Sequence, residues 1–410
     1  MEEIIKQARS LVEPIFEELA KISRINHGKV IESFRALQVS DECFRGSTGY
    51  GYDYYGRDLL DALYAQIFGA EDALVRPHIV SGTQAISIAL YAVLRPGDEL
   101  ISITGSPYDT LLNVIGNKAQ DTGSLINFGI TYKEIKLNES QKPDLPQIKK
   151  TISQKTKAVL IQRSRGYAWR EALTIEEISK LIATVKEINP NIICLVDNCY
   201  GEFVEEKEPT QVGADLIAGS LIKNPGGGLA PTGGYIAGKK ALIKLVAQRL
   251  TAPGIGREVG SYPGETYRLI YQGIYLAPMI VNQALRGAIY TAAIFSLLGY
   301  DVSPSWDAKR SDIIQAIKLG KPEKIIDFCK CIQEFSPIDS NSTPMPWDMP
   351  GYNDQVIMAG GTFIQGSTME LSADAPMREP YAIYLQGGLS FTYTELVINN
   401  AAKSIGYNTL

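Results

Sequence analysis

The sequence predicts an α/β fold, in which a large domain with a mostly parallel sheet is followed by a smaller α+β domain. From about residue 73 to residue 239, short apolar runs alternate with helical stretches, as in parallel strands covered by helices on both faces. From about Gly299 this alternation gives way to helices, a proline-rich stretch and then strands. We therefore divide the 410 residues into an N-terminal helix and arm (1–60), a large domain (61–299) and a small C-terminal domain (300–410).

The helices are predicted from the spacing of their apolar residues. In the first helix Ile5, Ile15 and Leu19 return to one face, and a glycine-punctuated run from Gly46 to Arg57 then predicts a loop. The predicted helices, in chain order, are Glu2–Ser23, Asp58–Phe68, Gln84–Leu94, Ile175–Ile188, Lys240–Leu250, Pro278–Leu298, Asp307–Leu319 and Pro322–Phe335.

Strands are predicted where short apolar runs are bounded by turn residues, as the turn 95–98 bounds the run that follows it. In the large domain they are Ala73–Arg76, Ile79–Val80, Glu99–Ile103, Ala158–Gln162, Ile192–Val196 and Leu216–Ala218, with Tyr235–Gly238 as an antiparallel closing strand. In the small domain they are Val356–Leu371 and Tyr381–Gln386.

Composition excludes several classes of function. A net charge of −5 offers no field that would attract nucleic acid. With only His27 and His78, zinc hydrolases and Ser-His-Asp enzymes are disfavoured, and no metal site is expected. The longest apolar stretch contains Asn282, Gln283 and Arg286, which favours a buried helix over a membrane span. An odd number of cysteines without a CxxC pair, and no signal-peptide pattern, predict a cytoplasmic protein.

Two polar residues at strand ends carry the strongest chemical signal. Asp197 ends the apolar run Ile192–Val196, and Lys223 follows about one βα unit later. A lysine can bond covalently to the aldehyde of pyridoxal phosphate (PLP), and a carboxylate can hold the ring nitrogen protonated. Taken alone, Asp197 is better explained as a turn cap and Lys223 as a solvated lysine. Together they favour a PLP enzyme that acts on the α-carbon of an amino acid, with the pKa of Lys223 lowered by burial.

Other segments fit the same cofactor. Ser81, Gly82 and Thr83 precede a predicted helix, so their amides predict an anion-binding cup, although a simple serine N-cap explains them equally well. Tyr108 follows the strand Glu99–Ile103 and can stack on a flat ring, or be a half-buried loop tyrosine. Ser220 lies three residues before Lys223 and can donate to a phosphate.

This order of segments resembles fold-type I PLP enzymes of the cysteine/methionine-metabolism group. More closely, the chain resembles the methionine γ-lyase-like proteins, which are often labelled aluminium-resistance proteins or cystathionine β-lyases. The segments that carry the resemblance are 48–57, 161–170, 196–203 and 363–374. It implies an aspartate aminotransferase-like large domain that binds PLP, followed by a smaller domain.

The resemblance also implies roles for single residues. Gly82 and Thr83 would bind the phosphate with their amides and Ser220 with its hydroxyl, while Ser81 belongs to the same cup. Tyr108 would stack over the ring, Asp197 would pair with its nitrogen, and Lys223 would carry the aldimine. The group's second phosphate hydroxyl is replaced here by Ile222.

Further implied contacts involve a neighbouring subunit and the substrate. Tyr55 and Arg57 match a Tyr-x-Arg segment that reaches the phosphate of a neighbouring subunit, so the active unit is expected to be a homodimer or homotetramer. Arg378 is the candidate for the substrate carboxylate, with Arg163 and Arg165 as rivals. Gln162, or alternatively Ser164, is expected to face the 3′ oxygen of the ring.

The implied activity is a PLP-dependent carbon–sulfur lyase that converts a sulfur-containing amino acid into a keto acid, ammonia and a thiol. Lys223, Asp197 and Tyr108 are its expected catalytic residues, and cystathionine β-lyase and methionine γ-lyase chemistry stay equally open. The alternatives are an aminotransferase, a γ-replacement enzyme, or a PLP-fold stress or metal-tolerance protein with little catalysis.

Overall fold

A computed structural model describes residues 1–116 and 122–407 of the chain. Its helices are α1 Glu2–Ala36, α2 Tyr55–Phe68, α3 Gly82–Val93, α4 Asp109–Ile115, α5 Leu145–Thr151, α6 Ile175–Ile188, α7 Lys240–Leu250, α8 Gly264–Leu297, α9 Pro322–Glu334 and α10 Phe391–Tyr407. Its strands are β1 Asp72–Arg76, β2 Glu99–Ser102, β3 Thr131–Glu134, β4 Thr156–Gln162, β5 Ile193–Asp197, β6 Leu216–Ser220, β7 Gly234–Gly238, β8 Asp301–Ser303, β9 Gln315–Lys318, β10 Val356–Ala359, β11 Ser372–Pro376 and β12 Ala382–Gln386.

The larger sheet has the strand order β1-β7-β6-β5-β4-β2-β3. The strands from β6 to β3 are parallel to one another, and β7 runs antiparallel to both β1 and β6. This confirms the predicted mostly parallel α/β sheet and its antiparallel closing strand. The register pairs Gln162 with Asp197, and Asp197 with Ala218, so three neighbouring strands end at one edge of the sheet. Ligands of open α/β sheets bind at this edge.

A second sheet, with the order β10-β11-β12-β9-β8, is antiparallel throughout. Helix α8 connects the two sheets, and it contacts α1 along one side and α10 along another. The amphipathic helix α1 buries Ala8, Val12 and Phe16. The domain boundaries at residues 60 and 299 stay a prediction.

Several predicted elements are wrong or incomplete. The stretch Asp307–Leu319 is not a helix, because Gln315–Lys318 forms β9 and pairs with β12 and β8. The run 313–317 is apolar except for Gln315 and is buried throughout, and such a run lacks the period that separates a strand from a helix. Ile79–Val80 is not a strand either, but part of the connection to α3, with Val80 72% exposed.

Other elements differ in length. The predicted strand Val356–Leu371 ends as β10 at Ala359, where Gly360 takes a φ of +138°, which glycine tolerates at least cost. Helix α8 was predicted to begin at Pro278 but begins at Gly264, with Pro278 in its interior. The segment Tyr55–Arg57 was predicted as loop and forms the first turn of α2. Helices α4, α5 and α10 and strands β3, β8 and β11 are not among the predicted elements.

Candidate active site

A cavity of about 440 Å³ opens where the carboxyl ends of β4, β5 and β6 meet the small sheet. Most of its wall comes from loops of the large sheet, and Tyr352 and Arg378 come from the other side. The predicted site residues that line it are Ser81, Gly82, Thr83, Tyr108, Gln162, Arg165, Asp197, Ser220, Lys223 and Arg378. The predicted residues Tyr55 and Arg57 do not line this cavity.

Asp197 is the last residue of β5, and its side chain is buried. Its Oδ1 accepts from the backbone N–H of Cys199 at 3.1 Å, which fixes the carboxylate at the strand end. Burial raises the pKa of Asp197, whereas the nearby Lys223 opposes that rise. A buried carboxylate of this kind favours a cationic partner such as a protonated ring nitrogen.

Lys223 lies in the turn that follows β6, where its N–H donates to the carbonyl of Ser220 at 3.4 Å. Its Nζ lies 4.0 Å from the centroid of the Tyr200 ring. Burial acts to lower the pKa of Lys223, but the ionisable groups around it, led by Cys199 and Tyr200, raise that pKa well above its ordinary value. The predicted lowering was therefore wrong, because the lysine is surrounded by acidic side chains as well as being desolvated.

The residues of the predicted anion-binding cup lie at the N-terminus of α3. The Ser81 hydroxyl caps this helix by accepting from the N–H of Gln84 at 3.1 Å, so the N-cap interpretation describes this side chain. Within the described residues the amides of Gly82 and Thr83 donate to no protein acceptor, so they are free to bind an anion. A Cβ on Gly82 would lie 3.1 Å from the Cys199 sulfur, which explains the glycine there.

Tyr108 is tied to this cup. Its hydroxyl lies 3.1 Å from the Thr83 Oγ1, and its backbone N–H donates to the Gln162 Oε1 at 3.0 Å. The Gln162 Nε2 in turn donates to the carbonyl of Ser164 at 3.1 Å. Both ends of the Gln162 amide are therefore bonded to backbone. The amide of Gln162 thus holds the loop that carries Tyr108, and its expected position facing the ring oxygen stays a prediction.

The candidate arginines differ in how they are held. Arg378 donates to Asp354 at 2.7 Å and lies 3.9 Å from Asp109, and its side chain is 39% exposed. Arg165 is buried and donates to the backbone and hydroxyl oxygens of Ser303. Arg163 is also buried, but it does not line the cavity. Only Arg378 combines a position on the cavity wall with an accessible guanidinium held by carboxylates.

Tyr55 and Arg57, which were expected to reach a neighbouring subunit, lie in different environments. Tyr55 is 51% exposed, whereas Arg57 is fully buried. The Arg57 guanidinium donates to Asp58 and to the carbonyl of Gly51, and its Nη2 has no partner among the described residues. The alternative of a solvated arginine is therefore wrong.

The sequence prediction of the site missed several residues that line the cavity, among them Cys199, Tyr200, Tyr167 and Tyr352. Cys199 and Tyr200 lie two and three residues after Asp197, so their position beyond a strand end was an available signal. Tyr167 lies in a loop after β4 and bonds to Asp374 of the small sheet, a long-range contact with no local signature.

Within the described ranges, no group of three or more His, Cys, Asp or Glu side chains is arranged to hold a metal ion. None of the helices seen in those ranges is both long and apolar enough to cross a lipid bilayer.

The residues present suit PLP. Free amides at a helix N-terminus suit its phosphate, a buried strand-end carboxylate suits its ring nitrogen, and Lys223 lies in the same cavity. The sheet order and the site at its carboxyl edge define the fold of fold-type I PLP-dependent enzymes. A solved O-acetylhomoserine (thiol)-lyase-like protein from Campylobacter jejuni, which holds a pyridoxyl-lysine monophosphate, shares this fold at a TM-score of 0.60 and 17% identity over 85% of each chain.

The chain belongs to the methionine gamma-lyase family, whose model matches residues 1–406. A Bacillus subtilis protein called YnbB is 52% identical over 98% of this chain and 97% of its own. A Listeria monocytogenes structure provisionally named a cystathionine beta-lyase involved in aluminum resistance has a TM-score of 0.96 and 50% identity, covering 99% of this chain and 100% of its own. A Clostridium novyi structure named a carbon-sulfur lyase involved in aluminum resistance has a TM-score of 0.94 and 51% identity, covering 98% and 94%.

Proposed function

We propose that the protein is a PLP-dependent carbon–sulfur lyase that eliminates a thiol from a sulfur-containing amino acid and releases a keto acid and ammonia. The observation that carries the proposal is the cavity that Lys223 and Asp197 share, with Asp197 buried at the end of β5 and Lys223 partly buried in the turn after the adjacent strand β6. Family membership and the names of the similar structures support the same class of reaction.

Named residues would hold the cofactor. The amides of Gly82 and Thr83 and the hydroxyl of Ser220 would bind the phosphate, Asp197 would hold the ring nitrogen protonated, and Lys223 would be the point of covalent attachment. When bound, PLP supplies an electron sink for negative charge on the substrate α-carbon. An ion pair with the ring nitrogen would also lower the pKa of Asp197 from its raised value.

The chain's own groups then move the protons. The Lys223 Nζ, as the neutral amine, is the base that takes the proton from the α-carbon. The surrounding groups that raise its pKa favour the ammonium that results from this transfer. The Tyr108 hydroxyl, fixed by Thr83 at 3.1 Å, is the donor to the leaving sulfur. Arg378 binds the substrate carboxylate with its guanidinium, in place of Asp354.

We also propose that the active unit is a homodimer or a homotetramer in which sites are shared between subunits. Tyr55 lies outside its own cavity and is half exposed, which leaves it free to contact a second copy.

The five cysteines are free and buried, which fits a reducing cytoplasm.

The test is to incubate the purified protein with PLP and with cystathionine, methionine or cysteine, and to measure ammonia, pyruvate and 2-oxobutyrate. Pyruvate from cystathionine would assign β-elimination, and 2-oxobutyrate from methionine γ-elimination. A keto acid that retains the sulfur, formed without ammonia and only when a second keto acid is added to accept the amino group, would favour an aminotransferase. No keto acid from any substrate would contradict the lyase proposal.

Lys223→Ala is the matched negative variant, with the exposed Lys244→Ala as its control. We expect Lys223→Ala to lose both the visible absorption of lysine-bound PLP and the keto-acid product, and Lys244→Ala to keep both. A Lys223→Ala protein that still shows the lysine-bound absorption would overturn the assignment.

A further inference from the structure

Tyr200 contacts Lys223 directly. The ring centroid lies 4.0 Å from the Lys223 Nζ, and both side chains line the cavity. A desolvated ammonium over the face of an aromatic ring is attracted by the negative electrostatic potential of that face. The ring therefore holds the lysine amine in one place and favours its protonated form.

The backbone of Tyr200 is strained. Its φ of +71° lies in the left-handed region, where a side chain other than glycine is disfavoured. The next residue, Gly201, permits this turn, since a Cβ there would lie 2.5 Å from atoms of the Arg163 side chain. Strained conformations of this kind persist where the surrounding structure enforces them, and they cluster at functional sites.

The Tyr200 side chain also reaches the small sheet. It packs against the cluster of Ile314, Ala316, Ala382 and Tyr384, which belongs to β9, β12 and the residues before β9. The ring therefore lies between the amine of Lys223 and the second sheet.

We propose that Tyr200 is a positioning residue that holds the Lys223 amine under its ring and couples that amine to the docking of the small sheet. The inference rests on the proposed role of Lys223. The position of the Lys223 side chain can, however, be observed in the protein without cofactor. No covalent step is assigned to Tyr200.

The test compares Tyr200→Phe, which keeps the ring face, with Tyr200→Leu, which keeps apolar bulk and the backbone strain but removes the ring. Phe203→Leu is the matched control, because Phe203 shares the same turn and a φ of +62° but does not line the cavity. The first measurement is the position of the Lys223 Nζ in crystal structures of the cofactor-free proteins. We expect Nζ to be unmoved in Tyr200→Phe and Phe203→Leu, and displaced or split between conformers in Tyr200→Leu.

The second measurement is the pH midpoint of the visible absorption of lysine-bound PLP. Loss of the ring face removes a stabilisation of the positive charge, so Tyr200→Leu should lower this midpoint by about one pH unit. Tyr200→Phe keeps the ring face but loses the hydroxyl, which also favours the protonated lysine, so its midpoint should fall between those of the parent and Tyr200→Leu. An unmoved Nζ with an unchanged midpoint in Tyr200→Leu would overturn the proposal, and so would an equal shift in Phe203→Leu. If lysine-bound PLP were absent altogether, the proposed function would fail while the crystallographic comparison still decided the role of Tyr200.

Discussion

The Tyr167 hydroxyl donates to the Asp374 carboxylate at 3.2 Å and thereby joins the cavity wall to the small sheet. The same Asp374 oxygen accepts from the Gln386 Nε2 at 2.9 Å. In the part of the chain that the structure describes, no Lys, Arg or His forms an ion pair with Asp374 within 4.0 Å. Burial raises the pKa of Asp374 to about 6, although its two hydrogen bonds and Lys223 oppose the shift. Asp374 is therefore a buried carboxylate that only neutral donors contact directly.

Asp374→Asn is expected to change how stability depends on pH. The folded pKa of about 6 lies above the ordinary value of 3.8, so the folded state binds this proton more tightly. The resulting stabilisation is full below pH 3.8 and is lost as the pH rises through 6. Between pH 5 and pH 7.5 the parent should lose about 1.4 kcal/mol through this group, and the variant should not.

Urea unfolding at the two pH values measures this difference, with the exposed Asp301→Asn as the control. A free energy of unfolding that falls equally in the parent and in Asp374→Asn would contradict the assignment.

Gly226→Ala should disrupt the turn that carries Lys223. A Cβ at this position would lie 1.7 Å from the carbonyl oxygen of Leu221, so the backbone must move. We expect the free energy of unfolding to fall by about 1–3 kcal/mol or more, together with weaker PLP binding. The control is Gly28→Ala in the interior of α1, where a Cβ meets nothing within 4 Å, and which should gain about 0.5–1 kcal/mol. Equal stability of the two variants would show that the turn tolerates a side chain.

Site residues could be predicted from the sequence where a polar side chain ends a predicted strand. Gln162, Asp197 and Ser220 each close a short apolar run, and the parallel register alone brings them to one edge. The tight turn after Ser220 was also predictable, because three consecutive glycines follow Lys223 closely in the sequence.

Long-range contacts were not predictable in this way. Nothing local to Tyr167 indicates Asp374, since their pairing depends on how the second sheet docks. The apolar run 313–317 fits a helix and a buried strand equally, and only its pairing with β12 decides between them. The pKa of Lys223 was misjudged for a related reason, because Cys199 and Tyr200 approach it only through the strained turn after β5.

Arg378→Ala should weaken substrate binding without affecting the cofactor. Loss of a charge-assisted contact to the substrate carboxylate should raise KM by roughly 10- to 100-fold. Asp354→Asn should lower KM, because Asp354 competes for the same guanidinium at 2.7 Å. Steady-state kinetics beside a PLP titration separates the two effects. An unchanged KM in Arg378→Ala, with a raised KM in Arg165→Lys, would move the carboxylate site to Arg165.

Shared sites can be tested with hybrid dimers of Lys223→Ala and Tyr55→Ala chains, isolated through different affinity tags. Tyr55→Ala alone should bind PLP about tenfold more weakly, the cost of one hydrogen bond to a charged phosphate. In the hybrid, only the Tyr55→Ala chain keeps Lys223 and can bind PLP covalently. The site that contains this Lys223 faces the intact Tyr55 of the Lys223→Ala chain. If Tyr55 acts across the interface, the visible site of the hybrid should therefore bind PLP with the parent's affinity. A hybrid that binds as weakly as Tyr55→Ala alone would place Tyr55 outside the partner's site, because the intact tyrosine would then have no effect on the neighbouring lysine.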